Sequence, residues 1–180
     1  TLVIGDGNTI REYCTISRGT AQDRGETTLG NDNWIMAYVH IAHDCVVGDH
    51  CILANNATLA GHVWLGDWVI LGGFAGIHQF CKIGAHAFLG MYSRVTRDVP
   101  AYTMVSGHPA EPKGINSEGL KRRGFTPDQQ RNIKNAYRIV YRQGRKLAEA
   151  IEEIAGLADS QPELLPLLES LRSSERGIAR

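Results

Sequence analysis

Aliphatic side chains recur at every sixth position between Leu29 and Val95 without interruption. They are Leu29, Ile35, Ile41, Val47, Leu53, Leu59, Leu65, Leu71, Ile77, Ile83, Leu89 and Val95. A small or short side chain precedes many of them by two positions, at Val39, Cys45, Cys51, Ala57, Val63, Val69, Ala75, Cys81, Ala87 and Ser93. Helices repeat about every 3.6 residues and strands about every two. A period of six therefore predicts a solenoid, whose short units stack to bury one continuous core.

The hexads also predict the shape of this solenoid, which makes the fold mainly β. One bulky and one small inward residue per hexad suit a narrow prism of short parallel strands, with three hexads, or eighteen residues, in each coil. Further hexads begin at Ile4, Ile10 and Ile16, and a slip of one position before Leu29 predicts a loop around residues 21–27. Proline cannot donate to a strand ladder, so we expect the prism, residues 1–100, to end at Pro100.

Helical signals follow the prism. Residues 101–115 are rich in Pro and Gly and are predicted to be a linker, and residues 116–180 are predicted to be a small C-terminal α-helical domain. In its main helix Thr126 can cap the start, Pro127 suits the first turn and Gly144 marks the end. The apolar stripe of this helix consists of Ile133, Ala136, Tyr137, Val140 and Tyr141. Further helices are expected over residues 147–158 and from Pro162.

The composition indicates where the protein works. The four cysteines, Cys14, Cys45, Cys51 and Cys81, fall at the small inward position and form no C-x-x-C pair, so we expect them to fill the core as free thiols. Reduced thiols favour a cytoplasmic protein. No stretch is long and apolar enough to span a bilayer, so we expect no transmembrane segment. The hexads begin at Ile4 without a polar cap, from which we expect the C-terminal coils of a longer β-helix.

Charge is balanced overall but uneven along the chain, with 19 basic and 19 acidic residues. Residues 121–146 carry nine Lys or Arg and one Asp, whereas residues 147–175 carry seven acids and one Arg. One face of the main helix presents Arg131, Lys134, Arg138, Arg142 and Arg145. This face either binds an acidic partner or is an ordinary solvated surface, and charge alone leaves both possibilities open. We expect no nucleic-acid partner.

Stacking by eighteen residues predicts which polar side chains meet on successive coils. It places His43, Gly61 and Gln79 in one column. An imidazole can act as a general base near neutral pH, and a glycine lets a reacting group approach its N–H, which can receive an oxyanion. The same coils also carry His40, His62 and His78. Histidines are equally tolerated on exposed faces, and the same spacing gives an ordinary outer stack of His50, Trp68 and His86.

Three runs of sequence carry a resemblance that is more specific than the hexads. They are HIAHDCVVGDHCILANNATLAGHV, GGFAGIHQFCKIGAHAF and GINSEGLKRRGF. The hexads resemble those of the hexapeptide-repeat acyltransferases, whose fold is a left-handed parallel β-helix. The three runs resemble the UDP-N-acetylglucosamine 3-O-acyltransferases of lipid A biosynthesis. That family has further N-terminal coils that this sequence does not contain.

The resemblance implies roles for individual residues. His43 matches the general base that deprotonates the sugar 3-hydroxyl, and Gly61 matches the oxyanion donor. Asp44 is a candidate to orient His43, although neighbouring residues of a strand face opposite ways. The matched substrate contacts are His40, His62, His78 and Gln79. The matched nucleotide contacts are Asn116, Glu118, Arg122 and Arg123, and the guanidinium of arginine suits phosphate.

A second column, Ala37, Asn55, Gly73 and Met91, bears on the length of the acyl chain. In the family, the position that matches Met91 acts as a ruler at the end of the acyl groove, and members with glycine there accept long 3-hydroxyacyl chains. A methionine beyond Gly73 fills part of that space, so we expect a shorter chain such as 3-hydroxydecanoyl. The alternative is that Met91 only fills a gap in the packing.

The prediction is a homotrimeric acyltransferase that moves a 3-hydroxyacyl group from acyl carrier protein to UDP-N-acetylglucosamine, without a cofactor. We expect no metal site, because Lys82 and Ile83 follow His78 where a hexapeptide-repeat carbonic anhydrase has a zinc-binding histidine. One alternative is the sibling N-acyltransferase of the same pathway, which acylates a glucosamine amine. Another is a non-catalytic β-helix, which needs no clustered histidines.

Overall fold

The computed structural model describes all 180 residues, Thr1 to Arg180. The first half of the chain winds in turn through three parallel sheets. Sheet 1 contains β1 (Leu2–Ile4), β4 (Thr27–Leu29), β7 (Val46–Val47), β10 (Trp64–Leu65) and β13 (Lys82–Ile83). Sheet 2 contains β2 (Thr9–Ile10), β5 (Trp34–Ile35), β8 (Ile52–Leu53), β11 (Ile70–Leu71) and β14 (Phe88–Leu89). Sheet 3 contains β3 (Thr15–Ile16), β6 (His40–Ile41), β9 (Thr58–Leu59), β12 (Gly76–Ile77) and β15 (Arg94–Val95). The predicted parallel β-helix is confirmed.

The strand register confirms the eighteen-residue coil. Val46 pairs with Trp64, and Trp64 pairs with Lys82, each eighteen residues further on. In the first coil Thr9 instead pairs with Trp34, twenty-five residues further on. The seven additional residues lie between β3 and β4, where the chain forms the predicted loop.

The interior of the prism is filled as the hexads predict. The twelve hexad aliphatics from Leu29 to Val95 are all buried, with at most 3% of their surface exposed. The cysteines at Cys45, Cys51 and Cys81 are buried and unpaired, and burial raises the pKa of their thiols to about 11, 12 and 11. Their role as core filler is therefore supported by both packing and chemistry. In the first coil, by contrast, Ile4 and Ile10 are about 40% exposed, because β1 and β2 have a neighbouring strand on one side only.

The sheets meet at three corners, which organise the rest of the molecule. Corner A joins sheet 3 to sheet 1 and consists of residues 17–26, 42–45, 60–63 and 78–81. Corner B joins sheet 1 to sheet 2 and consists of residues 30–33, 48–51, 66–69 and 84–87. Corner C joins sheet 2 to sheet 3 and consists of residues 36–39, 54–57, 72–75 and 90–93. The turns place a side-chain-bearing residue at positive φ, for example Asp44 at 58°, His62 at 62° and His86 at 61°. This conformation costs an L-residue roughly 1–2 kcal/mol, so the strand ladders on both sides must hold each turn.

Residues 101–115 are not the linker that their composition predicts. They form β16 (Thr103–Ser106) and β17 (Glu111–Ile115), an antiparallel pair, and β16 continues sheet 2 alongside β14. Pro112 lies at the end of the sheet, where β17 has no further neighbour and a missing N–H breaks no ladder. The glycine at Gly107, with φ of 107°, lies in the loop of this hairpin. Pro and Gly therefore shape a hairpin that extends the sheet.

The C-terminal helices form a second core beside the prism. They are α1 (Ser117–Arg122), α2 (Pro127–Tyr141), α3 (Leu147–Ala158), a 3₁₀ helix (Pro162–Leu164) and α4 (Leu165–Arg172). Thr126 caps α2 in a capping box with Gln129, as its sequence predicts, and Ile133, Ala136, Tyr137 and Val140 of the predicted stripe are buried. The second core also includes Ala101 and Tyr102 from the prism side, so the helices are packed onto the end of the β-helix. None of the helices combines the length and the apolar character needed to cross a bilayer.

Candidate active site

Corner A brings together His43, Gly61 and Gln79 on three successive coils. The backbone ladder runs through the corner, because the His62 N–H donates to the carbonyl of His43 (3.0 Å) and the Phe80 N–H donates to the carbonyl of Gly61 (3.1 Å). The predicted eighteen-residue column is therefore a real stack of turns.

Gly61 lies directly against the imidazole of His43. A β-carbon added at Gly61 would come within 2.7 Å of His43 Cε1 and 2.8 Å of His43 Nε2. Real β-carbons do not make such contacts, so this position must be glycine while His43 keeps its orientation. The N–H of Gly61 donates no hydrogen bond within the protein. A histidine nitrogen and a free N–H donor therefore lie on adjacent coils of the same corner.

The side chain of His43 is held by Asp44. The Nδ1 atom of His43 lies 2.9 Å from Asp44 Oδ2. The Asp44 carboxylate is buried and also accepts the Thr20 hydroxyl (2.7 Å) and the Thr20 N–H (3.0 Å). Burial alone would raise the pKa of Asp44, but the hydrogen bonds from Thr20 and His43 outweigh it and lower this pKa to about 2. An ionised carboxylate can only accept, so Nδ1 of His43 carries a proton, and Nε2 is the ring nitrogen through which His43 can act as a base.

The contact between His43 and Asp44 resolves the objection that neighbours on a strand face opposite ways. Both residues lie in the turn after β6 and not in a strand. Asp44 has φ of 58°, so strand alternation does not apply to it.

The other histidines of this region have different partners. Nδ1 of His62 lies 2.5 Å from Asp23 Oδ2, and the His62 ring stacks on Phe80 at 4.4 Å and meets the His43 ring edge-on at 5.0 Å. His40, on β6, bonds the Thr15 hydroxyl through Nδ1 (2.6 Å). The exposed His78 bonds the carbonyl of its neighbour Gln79 (3.1 Å). His62 is thus in direct contact with His43, whereas His40 and His78 lie at the margins of the corner.

The predicted nucleotide contacts lie at corner B. Asn116 caps α1 through its Oδ1 and donates from Nδ2 to the carbonyl of His86 (3.0 Å). Arg123 bonds Nδ1 of His86 (3.0 Å) and lies over the ring of Trp68 (5.0 Å). The side chains of Glu118 and Arg122 are exposed and make no ion pair. Asn116 and Arg123 are therefore already engaged within the chain, while Glu118 and Arg122 are free to meet a ligand.

The predicted ruler lies at corner C. Met91 follows Gly73 by one coil, and its Cε atom is 4.0 Å from the position of a β-carbon on Gly73. The Met91 side chain is 65% exposed, so it is not filling a gap in the core of this chain. The neighbouring Phe74 and Tyr92 stack on each other at 5.0 Å.

Two family models match this chain. One is described as Udp N-acetylglucosamine O-acyltransferase, Domain 2, and matches residues 98–179; the other, bacterial transferase hexapeptide (six repeats), matches residues 26–61. The acyl-[acyl-carrier-protein]--UDP-N-acetylglucosamine O-acyltransferase of Thiobacillus denitrificans is 58% identical over 179 residues, which cover 99% of this chain and 69% of that protein. The chain belongs to the UDP-N-acetylglucosamine O-acyltransferase family. The resemblance of its sequence motifs to this family is thereby confirmed.

Other members of the family are similar over the same range. The protein of the same name from Pseudomonas aeruginosa is 54% identical, again over 99% of this chain and 69% of its own length. The crystal structure of the Francisella novicida UDP-N-acetylglucosamine acyltransferase is 48% identical, with a TM-score of 0.98 over 99% of this chain and 66% of that one. The chain thus spans about two thirds of the length of these family members.

One group of side chains in this family member has the chemistry of a metal site. The donor atoms of His43, Asp44 and His62 all lie within 4.8 Å of one another. Two imidazoles and a carboxylate are a set that zinc accepts. In this structure the Nδ1 atoms of both histidines are bonded to carboxylates, and Asp44 is bonded to Thr20. The expectation of no metal site stays a prediction.

Four residues around the site were not identified from the sequence. Thr20 and Asp23 lie in the loop between β3 and β4, which has no hexad register to place it. The sequence pattern does not single out Phe80, and it places His86 in an ordinary outer stack with His50 and Trp68. The sequence does contain a signal for the loop, because the register slip between Ile16 and Leu29 marks the coil in which additional residues extend from corner A.

Proposed function

We propose that this chain transfers a 3-hydroxyacyl group from acyl carrier protein to the 3-hydroxyl of UDP-N-acetylglucosamine, the first step of lipid A biosynthesis. The names of its relatives support both substrates. The observation that carries the proposal is the position of His43, which is bonded to the buried carboxylate of Asp44 and lies against Gly61, a residue whose N–H has no acceptor in the chain. A base and an oxyanion donor on adjacent coils are what acyl transfer to a hydroxyl requires.

The chemistry follows from this arrangement. Nε2 of His43 takes the proton of the sugar 3-hydroxyl while the oxygen attacks the thioester carbonyl of the acyl donor. The negative charge that develops on the carbonyl oxygen is stabilised by the N–H of Gly61. When the intermediate collapses, the thiol of the carrier leaves and takes the proton back from His43. Asp44 keeps the His43 ring in the tautomer with the proton on Nδ1, which these proton transfers at Nε2 require. No covalent acyl-enzyme and no cofactor take part.

The test is His43→Ala, with His50→Ala as the matched control. His50 is also a half-exposed corner histidine beside a carboxylate, with Nδ1 at 3.8 Å from Asp32, but it lies at corner B. His43→Ala is expected to lower turnover about 10²- to 10⁴-fold, the usual cost of a lost general base. His50→Ala is expected to keep near-normal turnover. Equal activities of the two variants would contradict the mechanism.

The acceptor distinguishes this function from the sibling N-acyltransferase. The names of the relatives favour the O-acyltransferase. The enzyme is expected to acylate N-acetylated sugar nucleotide and to leave the de-acetylated form unreacted at the 3-hydroxyl and the amine. Acylation of the amine of the de-acetylated form would instead identify the sibling reaction.

We infer that the acyl carrier protein docks on α2. Lys134, Arg138 and Arg142 are exposed and make no ion pair, and they line one groove of about 620 Å³ together with Lys113. Arg131 and Arg145, by contrast, are paired with Asp128 (2.7 Å) and Glu153 (2.9 Å). Unpaired basic side chains around a groove favour an acidic partner over a merely solvated surface. This docking also fits a cytoplasmic enzyme with free thiols.

We infer further that the active unit is a homotrimer. His43 lies at corner A, Arg122 is the last residue of α1, which is held at corner B, and Met91 lies at corner C. If these residues serve one bound substrate, copies of the chain must meet so that different corners face each other. Large apolar side chains on the outside of the prism, such as Trp34 (49% exposed) and Trp64 (43%), support contacts between its flat faces. A solution mass three times that of the chain is expected, and mixed trimers of His43→Ala and Arg122→Ala chains should recover activity.

A further inference from the structure

Helix α1 is too short to hold itself in place. It has six residues, from Ser117 to Arg122, and includes Gly119. Isolated helices of this length do not form in water. The helix is therefore positioned by its contacts with the prism, and these contacts decide where its exposed side chains point.

Both ends of α1 are bonded to the same residue of the prism, His86. At the start of the helix, the capping residue Asn116 donates from Nδ2 to the backbone carbonyl of His86 (3.0 Å). At the end of the helix, Arg123 donates from Nη1 to the imidazole Nδ1 of His86 (3.0 Å). The two bonds link residues that are 30 and 37 positions apart in sequence.

The ring of His86 is itself fixed on several sides. It stacks on Tyr102 at 5.4 Å and lies parallel to Trp68 at 6.3 Å, and the ring of Phe125 meets it edge-on at 5.3 Å. Arg123 also lies over Trp68. Burial and the charge of Arg123 lower the pKa of His86 to about 4, so the ring is neutral at pH 7. A neutral ring can accept the guanidinium N–H at Nδ1, whereas an imidazolium cannot.

We propose that His86 is a positioning residue for the sugar-nucleotide substrate, which holds α1 at both ends and so aims Glu118 and Arg122 at the nucleotide. This proposal rests on the proposed function, because that function is the reason to expect a nucleotide at α1. In the proposed mechanism His86 touches no reacting atom. Its loss should weaken the binding of the acceptor and leave the chemical step at corner A unchanged.

Two substitutions separate the hydrogen bond from the stacking. In His86→Phe the flat ring is kept and the Nδ1 acceptor is lost. The backbone tolerates this change, since Phe74 and Phe80 occupy equivalent turns at φ of 58° and 65°. In His86→Asn the ring is lost, but the amide Oδ1 lies where Nδ1 was and can accept from Arg123. Asn56 occupies an equivalent turn at φ of 61°.

The first measurement is steady-state kinetics of the full enzyme. His86→Phe is expected to raise the KM for UDP-N-acetylglucosamine about tenfold or more, as expected for a lost hydrogen bond to a charged group, with kcat and the KM for the acyl donor within about twofold of wild type. His86→Asn is expected to retain most of the wild-type KM. An unchanged KM in His86→Phe, or a larger rise in His86→Asn than in His86→Phe, would overturn the proposal.

The second measurement does not depend on activity. Hydrogen–deuterium exchange of residues 119–123 is expected to be faster in His86→Phe than in wild type and near wild type in His86→Asn, while the amides of β9 and β12 stay unchanged. Unaltered exchange in His86→Phe would show that His86 does not hold α1. If the wild-type enzyme transferred no acyl group, the proposed function would have failed, and the exchange experiment would still decide whether His86 positions the helix.

Discussion

The imidazole of His43 occupies the space in which any side chain at Gly61 would begin. A β-carbon on Gly61 would lie 2.7 Å from Cε1 and 2.8 Å from Nε2 of that ring. The glycine is therefore needed for the position of the base, in addition to offering a free N–H. The base and the proposed oxyanion donor are therefore in steric contact, so that a side chain at position 61 would displace the ring of His43.

Gly61→Ala is expected to lower kcat about tenfold or more while leaving the thermal stability close to that of wild type. The new methyl group must push the half-exposed His43 ring away from Asp44, because the ring is the flexible partner of the contact. Gly76→Ala is the matched control: it adds the same methyl group one coil further on, on β12, where a β-carbon would meet nothing within 4 Å. Equal kcat values for the two variants would show that the ring of His43 does not depend on Gly61.

Asp44→Asn should leave the fold intact and lower kcat, because an amide can hold Nδ1 of His43 in either tautomer. Loss of the carboxylate that orients a catalytic histidine costs up to about 10⁴-fold in a serine protease triad, and a loss of at least about tenfold is expected here. Asp67→Asn is the control, since the side chain of Asp67 also accepts a backbone N–H from the previous coil (2.9 Å) but makes no contact with a histidine side chain. A wild-type kcat in Asp44→Asn would remove Asp44 from the mechanism.

The same substitution should change the pH dependence of stability. The pKa of Asp44 in the folded protein is about 2, below the ordinary value of 3.8, so its ionised form stabilises the fold at any pH above about 4. This contribution is lost as the pH falls through 2. The free energy of unfolding of wild type is therefore expected to exceed that of Asp44→Asn at pH 7, with the difference shrinking between pH 4 and pH 2 in denaturant titrations.

Charge reversal of Arg138 and Arg142 to Glu should raise the KM for acyl carrier protein and flatten its dependence on salt. Exposed charges act mainly on the encounter of two proteins, and this effect is screened at high ionic strength. Arg172→Glu, an exposed arginine on α4 without an ion pair, serves as the control and should leave both quantities unchanged. A salt dependence as steep as that of wild type in the double variant would place the carrier elsewhere.

Met91→Gly should shift the preference of the enzyme towards longer acyl chains. Removing the side chain extends the free space along the column that already contains Gly73. In competition between 3-hydroxydecanoyl and 3-hydroxymyristoyl carrier protein, the product ratio is expected to move towards the longer chain, since each apolar CH₂ that is buried contributes about 0.8 kcal/mol. Met91→Leu keeps a similar volume and should keep the wild-type ratio. An unaltered ratio in Met91→Gly would mean that chain length is set by other residues.

The sequence predicted those parts of the molecule that repeat. The inward positions from Leu29 to Val95, the eighteen-residue stacking of His43 on Gly61, and the cap at Thr126 all follow from local patterns, because each depends only on residues one hexad, one coil or one turn away. The hairpin of β16 and β17 was mistaken for a linker, since Pro112 and Gly114 mark a sheet edge as readily as a loop. Helix α1 was missed because it is short and contains Gly119.

The contacts that fix the site depend on tertiary structure and were harder to predict. Asp44 meets His43 only because both lie in a turn, which a rule about strand alternation does not describe. Asp23 reaches His62 across 39 residues, and Arg123 reaches His86 across 37. No periodicity connects such pairs, so their contacts emerge only when the loop and the helices are placed on the prism.

The coil also constrains how the chain can change in length. Each coil advances the prism by one strand spacing, about 4.8 Å, and its ladder accepts no fraction of a coil. The seven surplus residues of the first coil therefore cannot be part of the core. They extend from the prism as a loop at corner A. That loop supplies Thr20 to Asp44 and Asp23 to His62. The register shift in the first coil is thus the source of the side chains that hold Asp44, the partner of His43, and His62. Shortening the loop to restore a perfect repeat would leave Asp44 without Thr20 and His62 without Asp23.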